Sequence, residues 1–140
     1  MRNRFGCWAL LAVASMVWAC GGTEASEKAR RQSMRYYQAG YIAWSEQGDN
    51  LTAIRALTRA IEVDPENHRA QYLLGTLRLG RQEYDEAEVH LRQAVRIREI
   101  LGDRADLAEA RNSLGVLLIH LKQLDEAIAI RDALGGRSPF

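Results

Sequence analysis

Cysteine is scarce in this chain, with only Cys7 and Cys20 among 140 residues, and the scarcity removes any disulfide framework. Proline is as rare: of two, only Pro65 lies away from the C-terminal tail. Neither sign of charge dominates, since 19 basic residues face 18 acidic ones. A concentrated basic surface of the kind that nucleic acids require is therefore not encoded. No glycine-rich phosphate loop, HExxH, CxxC or GxSxG occurs. His68, His90 and His120 are far apart and form no pair at i, i+4, so no metal site is expected. Asp85, Glu86 and Glu88 form an acidic group, but charges there match the positive end of a helix that starts nearby. With no nucleophile and base at a defined spacing, the sequence predicts no catalytic residue, no metal and no cofactor; binding is the expected activity.

What is present begins at the N-terminus. Arg2 and Arg4 precede an apolar run from Phe5 to Ala19, too short to span a bilayer comfortably and built like a secretory signal. Val17-Trp18-Ala19-Cys20 resembles the lipobox of bacterial lipoproteins, in which the cysteine becomes the lipidated first residue of the mature chain. The resemblance implies a signal over residues 1–19 and an acylated, palmitate-bearing Cys20. The alternatives are ordinary cleavage after Ala19 and an uncleaved anchor. Without Arg2 and Arg4, 17 basic residues remain against 18 acidic ones, so attachment to a membrane would come from acyl chains and not from a polybasic patch. Residues 20–26 hold the cysteine and a small, polar stretch that reads as a flexible tether.

Beyond the tether the chain repeats itself. "GDNLTAIRALTRAIEVDP" laid on "RQEYDEAEVHLRQAVRI" pairs Ala53 with Ala87, Leu57 with Leu91 and Ala60 with Ala94, each 34 residues apart. The same offset sets Gly40-Tyr41 against Leu74-Gly75, and a third copy pairs Gly115 and Ala127 with Gly75 and Ala87 at an offset of 40. Trp44, Gly48, Ala53, Leu57, Ala60 and Pro65 in the first copy, with Leu74, Gly75, Leu114 and Gly115 in the others, resemble the signature of the tetratricopeptide repeat. That resemblance implies an all-α fold, a right-handed superhelix of about three stacked antiparallel helix pairs over residues 34–67, 68–107 and 108–134. A tail, 135–140, follows. The physics agrees: Ile54, Leu57 and Ile61 form one apolar stripe that a lone helix pair cannot bury. Gly75 and Gly115 each cost about 1 kcal/mol in a helix interior relative to alanine, acceptable only where a neighbouring helix comes close. Pro65 stops one helix and Asn67 can cap the next, so "VDPEN" is a hinge. The longer second spacing predicts extended helices around a turn at Gly102.

Repeats of this family bind peptides or helices in a concave groove lined by the first helix of each pair. Carrying those positions over gives Arg35, Gln38, Ile42 and Ser45 in the first copy, Arg69, Tyr72, Thr76 and Leu79 in the second, and Glu109, Asn112, Val116 and Ile119 in the third. The lysine and asparagine of the chaperone-binding carboxylate clamp are replaced by Gln38, Ile42, Tyr72 and Thr76, so that specificity is not implied. An exported chain in which "DPENHRAQYLLG" precedes "YDEAEVHLRQAV" is similar to the type IV pilus biogenesis lipoproteins, or pilotins. The similarity implies an outer-membrane lipoprotein facing the periplasm that helps a secretin assemble. Gly21, which is not a retention aspartate, agrees with that sorting. The alternative is a periplasmic scaffold or adaptor for another envelope assembly or secretion system. The last helix carries Leu124, Ala127, Ile128, Ile130 and Leu134, predicting an apolar end face suited to self-association or a partner.

Overall fold

The computed structural model describes the backbone of residues 6–121 and 124–134 and the side chains of residues 23–121, 126 and 128–134. Six helices follow one another: α1 (Gly6–Ser45), α2 (Asn50–Val63), α3 (His68–Gly80), α4 (Tyr84–Leu101), α5 (Arg104–His120) and α6 (Leu124–Ala133). Among the described residues there is no strand. Their boundaries follow the local chemistry. Asp49 caps α2 by accepting from Leu51 N and Thr52 N, Asn67 caps α3 through Ala70 N, and Gly102 ends α4 in the left-handed conformation, φ 71°. With α4 at 18 residues and α5 at 17, the helices on both sides of Gly102 are longer than α2 and α3, at 14 and 13. Residues 21–26, expected as a tether, are instead helical within α1. Glu24, Ala25 and Glu27 tolerate a helix, and Ser26 Oγ donates back to Thr23 O at 2.9 Å. The side chains of residues 6–22, Cys20 included, and the tail 135–140 lie outside the described residues. Among the described residues no helix is long and apolar enough to cross a membrane.

Helices pair as α1 with α2, α3 with α4 and α5 with α6, and the pairs stack through α2 on α3 and α4 on α5. Two apolar clusters occupy the seams. The first joins Ala43, Ala53, Leu57, Ala60 and Leu74, and the second joins Ala87, Leu91, Leu114, Leu117 and Leu118. Glycine sets the closeness of each pair. A Cβ on Gly75 would stand 2.8 Å from Leu91 Cγ, and one on Gly40 would stand 2.9 Å from Leu57 Cγ. The leucine of the second helix thus fills the space a side chain would take. Gly40, and not Tyr41, is therefore the counterpart of Gly75. The alignment that set Tyr41 against Gly75 is off by one because the α1–α2 loop has four residues, 46–49, and the α3–α4 loop three, 81–83. Gly115 breaks the series: among the described residues an added Cβ would meet nothing within 4 Å.

Polar contacts lock the pairs together. Asn67 Nδ2 donates to Ser33 Oγ at 2.8 Å, and Ser33 Oγ donates to Ala60 O at 2.7 Å, all buried. Arg98 is 2% exposed, among the largest buried side chains of the described chain. Its guanidinium lies 4.7 Å over the Tyr72 ring, donates to His68 Nδ1 at 3.2 Å and to the Asp106 carbonyl, and has the Asp106 carboxylate 3.7 Å away. A buried charge without partners would be costly; here every partner comes from α3 or α5, so the ion holds α5 against α3.

Two expectations follow. Gly75→Ala should destabilise the full chain by about 1–3 kcal/mol despite its better helix propensity, whereas Gly115→Ala should stabilise it by up to about 1 kcal/mol; urea denaturation of both variants measures the contrast. Stability should also fall with acid. His68 accepts from Arg98 and so must be neutral; burial first, then the Arg98 and Arg69 charges, depress its pKa against the weaker pull of Asp106 and Asp103. A depressed histidine gives stability that is complete above the unfolded value of about 6.5 and is lost as pH falls below it. His90, depressed by burial and by Arg78, adds to the same slope. Thermal melts from pH 7.5 to 5 should show the decline, and His68→Gln, which keeps an acceptor, should flatten it in part.

Candidate functional site

The first helix of each pair contributes to one groove of about 510 Å³. From α1 come Tyr37, Tyr41 and Trp44, spaced i, i+4, i+7 and therefore on one face. Their rings form a ladder, Tyr37 to Tyr41 at 6.2 Å and Tyr41 to Trp44 at 5.8 Å, the latter edge-on. Tyr41 and Trp44 are 46% and 42% exposed. The facing wall is Arg69, Tyr72 and Thr76 of α3, and α5 closes the end with Asp106 and Glu109. Arg98 reaches the floor from α4.

Electrostatics in the groove are nearly balanced. The Arg98 charge is met by Asp106, while Arg69 is exposed with no ion pair in the described chain. Burial, ahead of the opposing Arg69 charge, raises the Tyr37 hydroxyl pKa above its ordinary value. Burial likewise raises that of Tyr72, whose Oη lies 3.3 Å from Ser113 Oγ. Both phenols remain neutral donors at physiological pH, so the groove presents aromatic faces with fixed hydroxyls and few free charges. It suits apolar and aromatic side chains of a peptide better than an anion.

The groove positions expected from sequence divide three ways. Arg69, Tyr72 and Thr76 line the groove, with Glu109 beside them. Arg35, Gln38 and Ile42 do not: Gln38 and Ile42 each lie one residue, roughly 100° of helix rotation, from the groove-facing Tyr37 and Tyr41, and Arg35 lies two residues before Tyr37. Arg35 instead borders a recess on α1 with Glu27 and Arg31, and Gln38 and Ile42 are solvent-exposed. Ser45 Oγ donates to Tyr41 O at 2.8 Å. Leu79 packs into the second apolar cluster. Asn112, Val116 and Ile119 line a separate cavity of about 180 Å³ between α5 and α6, beside Gly115. The residues missed were the aromatic ladder and Asp106. The i, i+4, i+7 aromatic spacing is the signal that identifies the ladder.

The histidines stand apart. His68 bonds Arg98, and His120 stacks on Tyr84 with centroids 5.5 Å apart. His90 is half-buried, its Nδ1 2.9 Å from Gln71 Oε1. Among the described residues no group of three or more His, Cys, Asp or Glu is placed to hold a metal ion.

Residues 37–99 match the tetratricopeptide repeat family. No curated protein matches the chain in sequence. Two solved structures are similar in fold. The second TPR of Spaghetti (RPAP3), bound to HSP90 peptide SRMEEVD, superposes with a TM-score of 0.67 at 23% identity, covering 79% of this chain and 95% of that one. The N-terminal domain of stress-induced protein-1 (STI-1) from C. elegans gives 0.68 at 19% identity, covering 79% and 89%. At such identities the likeness is one of fold. Residues 37–99 thus carry the tetratricopeptide repeat in their sequence, and the described chain folds as a tetratricopeptide-like helical solenoid.

Proposed function

We propose that this protein is a protein-interaction scaffold whose groove binds a peptide segment of a partner through apolar and aromatic side chains. The ladder of half-buried Tyr37 and exposed Tyr41 and Trp44, facing Tyr72, carries this reading. Large aromatic rings left open to solvent on a rigid helix are the usual anchors of a binding surface, since they bury much area for little lost conformational freedom. The fold likeness to a repeat domain solved with a peptide supports a peptide as ligand. No enzymatic step is part of the reading.

The scaffold acts, in this proposal, at the bacterial outer membrane. The Arg2/Arg4 leader and the Val17–Cys20 lipobox support export and acylation at Cys20, and Gly21 supports sorting to the outer membrane with the repeats in the periplasm. The partner is a secretin subunit of a type IV pilus, on the similarity to pilotins that the repeat segments carry.

Photo-crosslinking in the native cell tests both halves. A photoreactive residue replacing Tyr41 should capture a discrete partner, identified as a secretin, whereas the same residue replacing Val89, exposed on α4, should not. Cys20→Ala should abolish incorporation of a fatty-acid analogue and move the protein to the soluble fraction. Equal capture at positions 41 and 89 would refute the groove. A discrete partner other than a secretin would transfer the scaffold to another envelope assembly, and unchanged labelling of Cys20→Ala would remove the lipid anchor.

A further inference from the structure

The third helix pair repeats the architecture of the first two but lacks its central contact. In the first pair Leu57 fills the space beside Gly40, and in the second Leu91 fills the space beside Gly75. At the offset of 40 that relates Gly75 to Gly115, the residue matching Leu91 is Arg131. Its side chain is 60% exposed and pairs with Asp132 at 3.4 Å, and among the described residues nothing stands within 4 Å of the space beside Gly115. The result is an open slot of about 180 Å³, room enough for an aliphatic side chain.

The lining has a definite chemistry. Val116, Ile119, Ile128 and Leu134 supply its apolar walls, and the first three are more than one-third exposed. Arg111 and Arg131 border it, and no carboxylate is among the described residues that line it, although each arginine has an ion-pair partner just outside, Glu99 and Asp132. Arg111 shares its charge with Glu99 at 2.6 Å, so Arg131 is the less neutralised of the two. An apolar hole edged by cations complements an aliphatic side chain with anionic neighbours.

We propose that this slot is a second binding site, distinct from the aromatic groove, and that it takes a leucine- or isoleucine-sized side chain of a partner segment flanked by acidic residues. The partner restores the knob that Arg131 withholds. The proposal does not rest on what occupies the aromatic groove, because the two sites share no lining residue.

Methyl NMR of the full chain tests it, with acetyl-Glu-Leu-Glu-amide as the probe. Saturable shifts should be confined to Val116, Ile119, Ile128, Ile130 and Leu134, with an affinity on the order of millimolar, as befits one buried side chain. Acetyl-Glu-Ala-Glu-amide should bind roughly tenfold more weakly or worse, and acetyl-Lys-Leu-Lys-amide should also lose affinity. Arg131→Leu should refill the slot, raise the melting temperature and abolish the shifts. Arg131→Gln, which leaves the slot open, should keep the preference for leucine over alanine and reduce the preference for glutamate over lysine. Equal shifts with the leucine and alanine probes, or no saturable shift, would overturn the proposal. So would shifts of Ile119 and Ile128 that depend on protein concentration alone, which would make a second copy the occupant.

Discussion

The close approach of Gly40 to Leu57 and of Gly75 to Leu91 determines the rest of the structure. A helix pair held this tightly presents its remaining apolar side chains to the next pair, and the two clusters at the seams are built from those residues. The interaction is steric. A leucine inserted where a Cβ would otherwise be fixes both the separation and the rotation of the two helices, because a close-packed interior leaves no room for an alternative. Rotation is the functional consequence, since it decides which face of α1 and α3 meets solvent in the groove.

From that rotation come the aromatic ladder and its facing wall. With Gly40 turned toward α2, Tyr37, Tyr41 and Trp44 face the same side as Tyr72 and Thr76. Arg98 reinforces the arrangement across the seam between the second and third pairs, by binding groups of α3 and α5 at once. The α3 wall is thus stiffened by an almost fully buried ion and by the Gly75 contact, and the α1 wall by the Gly40 contact. Preorganisation of this kind lowers the entropic cost of capturing a flexible partner.

Much of this was legible in the sequence, for identifiable reasons. Ala53 and Ala87, Leu57 and Leu91, and Ala60 and Ala94 lie in second helices that start two residues after Gly48 and Gln82, which both have positive φ, so a fixed offset carries through them. The same offset failed across the loop, because one extra residue between α1 and α2 rotates the first helix by about 100°. That single residue moved the expected groove positions from Tyr37 and Tyr41 to Gln38 and Ile42. The contact of His90 was not legible, because its partner, Gln71, is 19 residues away and nothing local announces it. Arg98 reads in sequence as one more charged residue on a helix; only the fold gathers His68, Tyr72 and Asp106 around it. Residues 21–26 are helical within α1 although glycine, serine and threonine are poor helix formers; Glu24 and Ala25 favour the helix and no proline interrupts it.

Function in this account is a matter of surface. The groove and the ladder that it presents depend on the rotation fixed at Gly40. The most direct measurement is the pattern of nuclear Overhauser effects around that residue. The account predicts strong effects from Gly40 Hα to the Leu57 methyls and from Gly75 Hα to the Leu91 methyls, with none from Gly115 Hα to the Arg131 side chain. Effects to the Leu57 methyls from Tyr41 in place of Gly40 would contradict it, because the ladder would then face away from the groove.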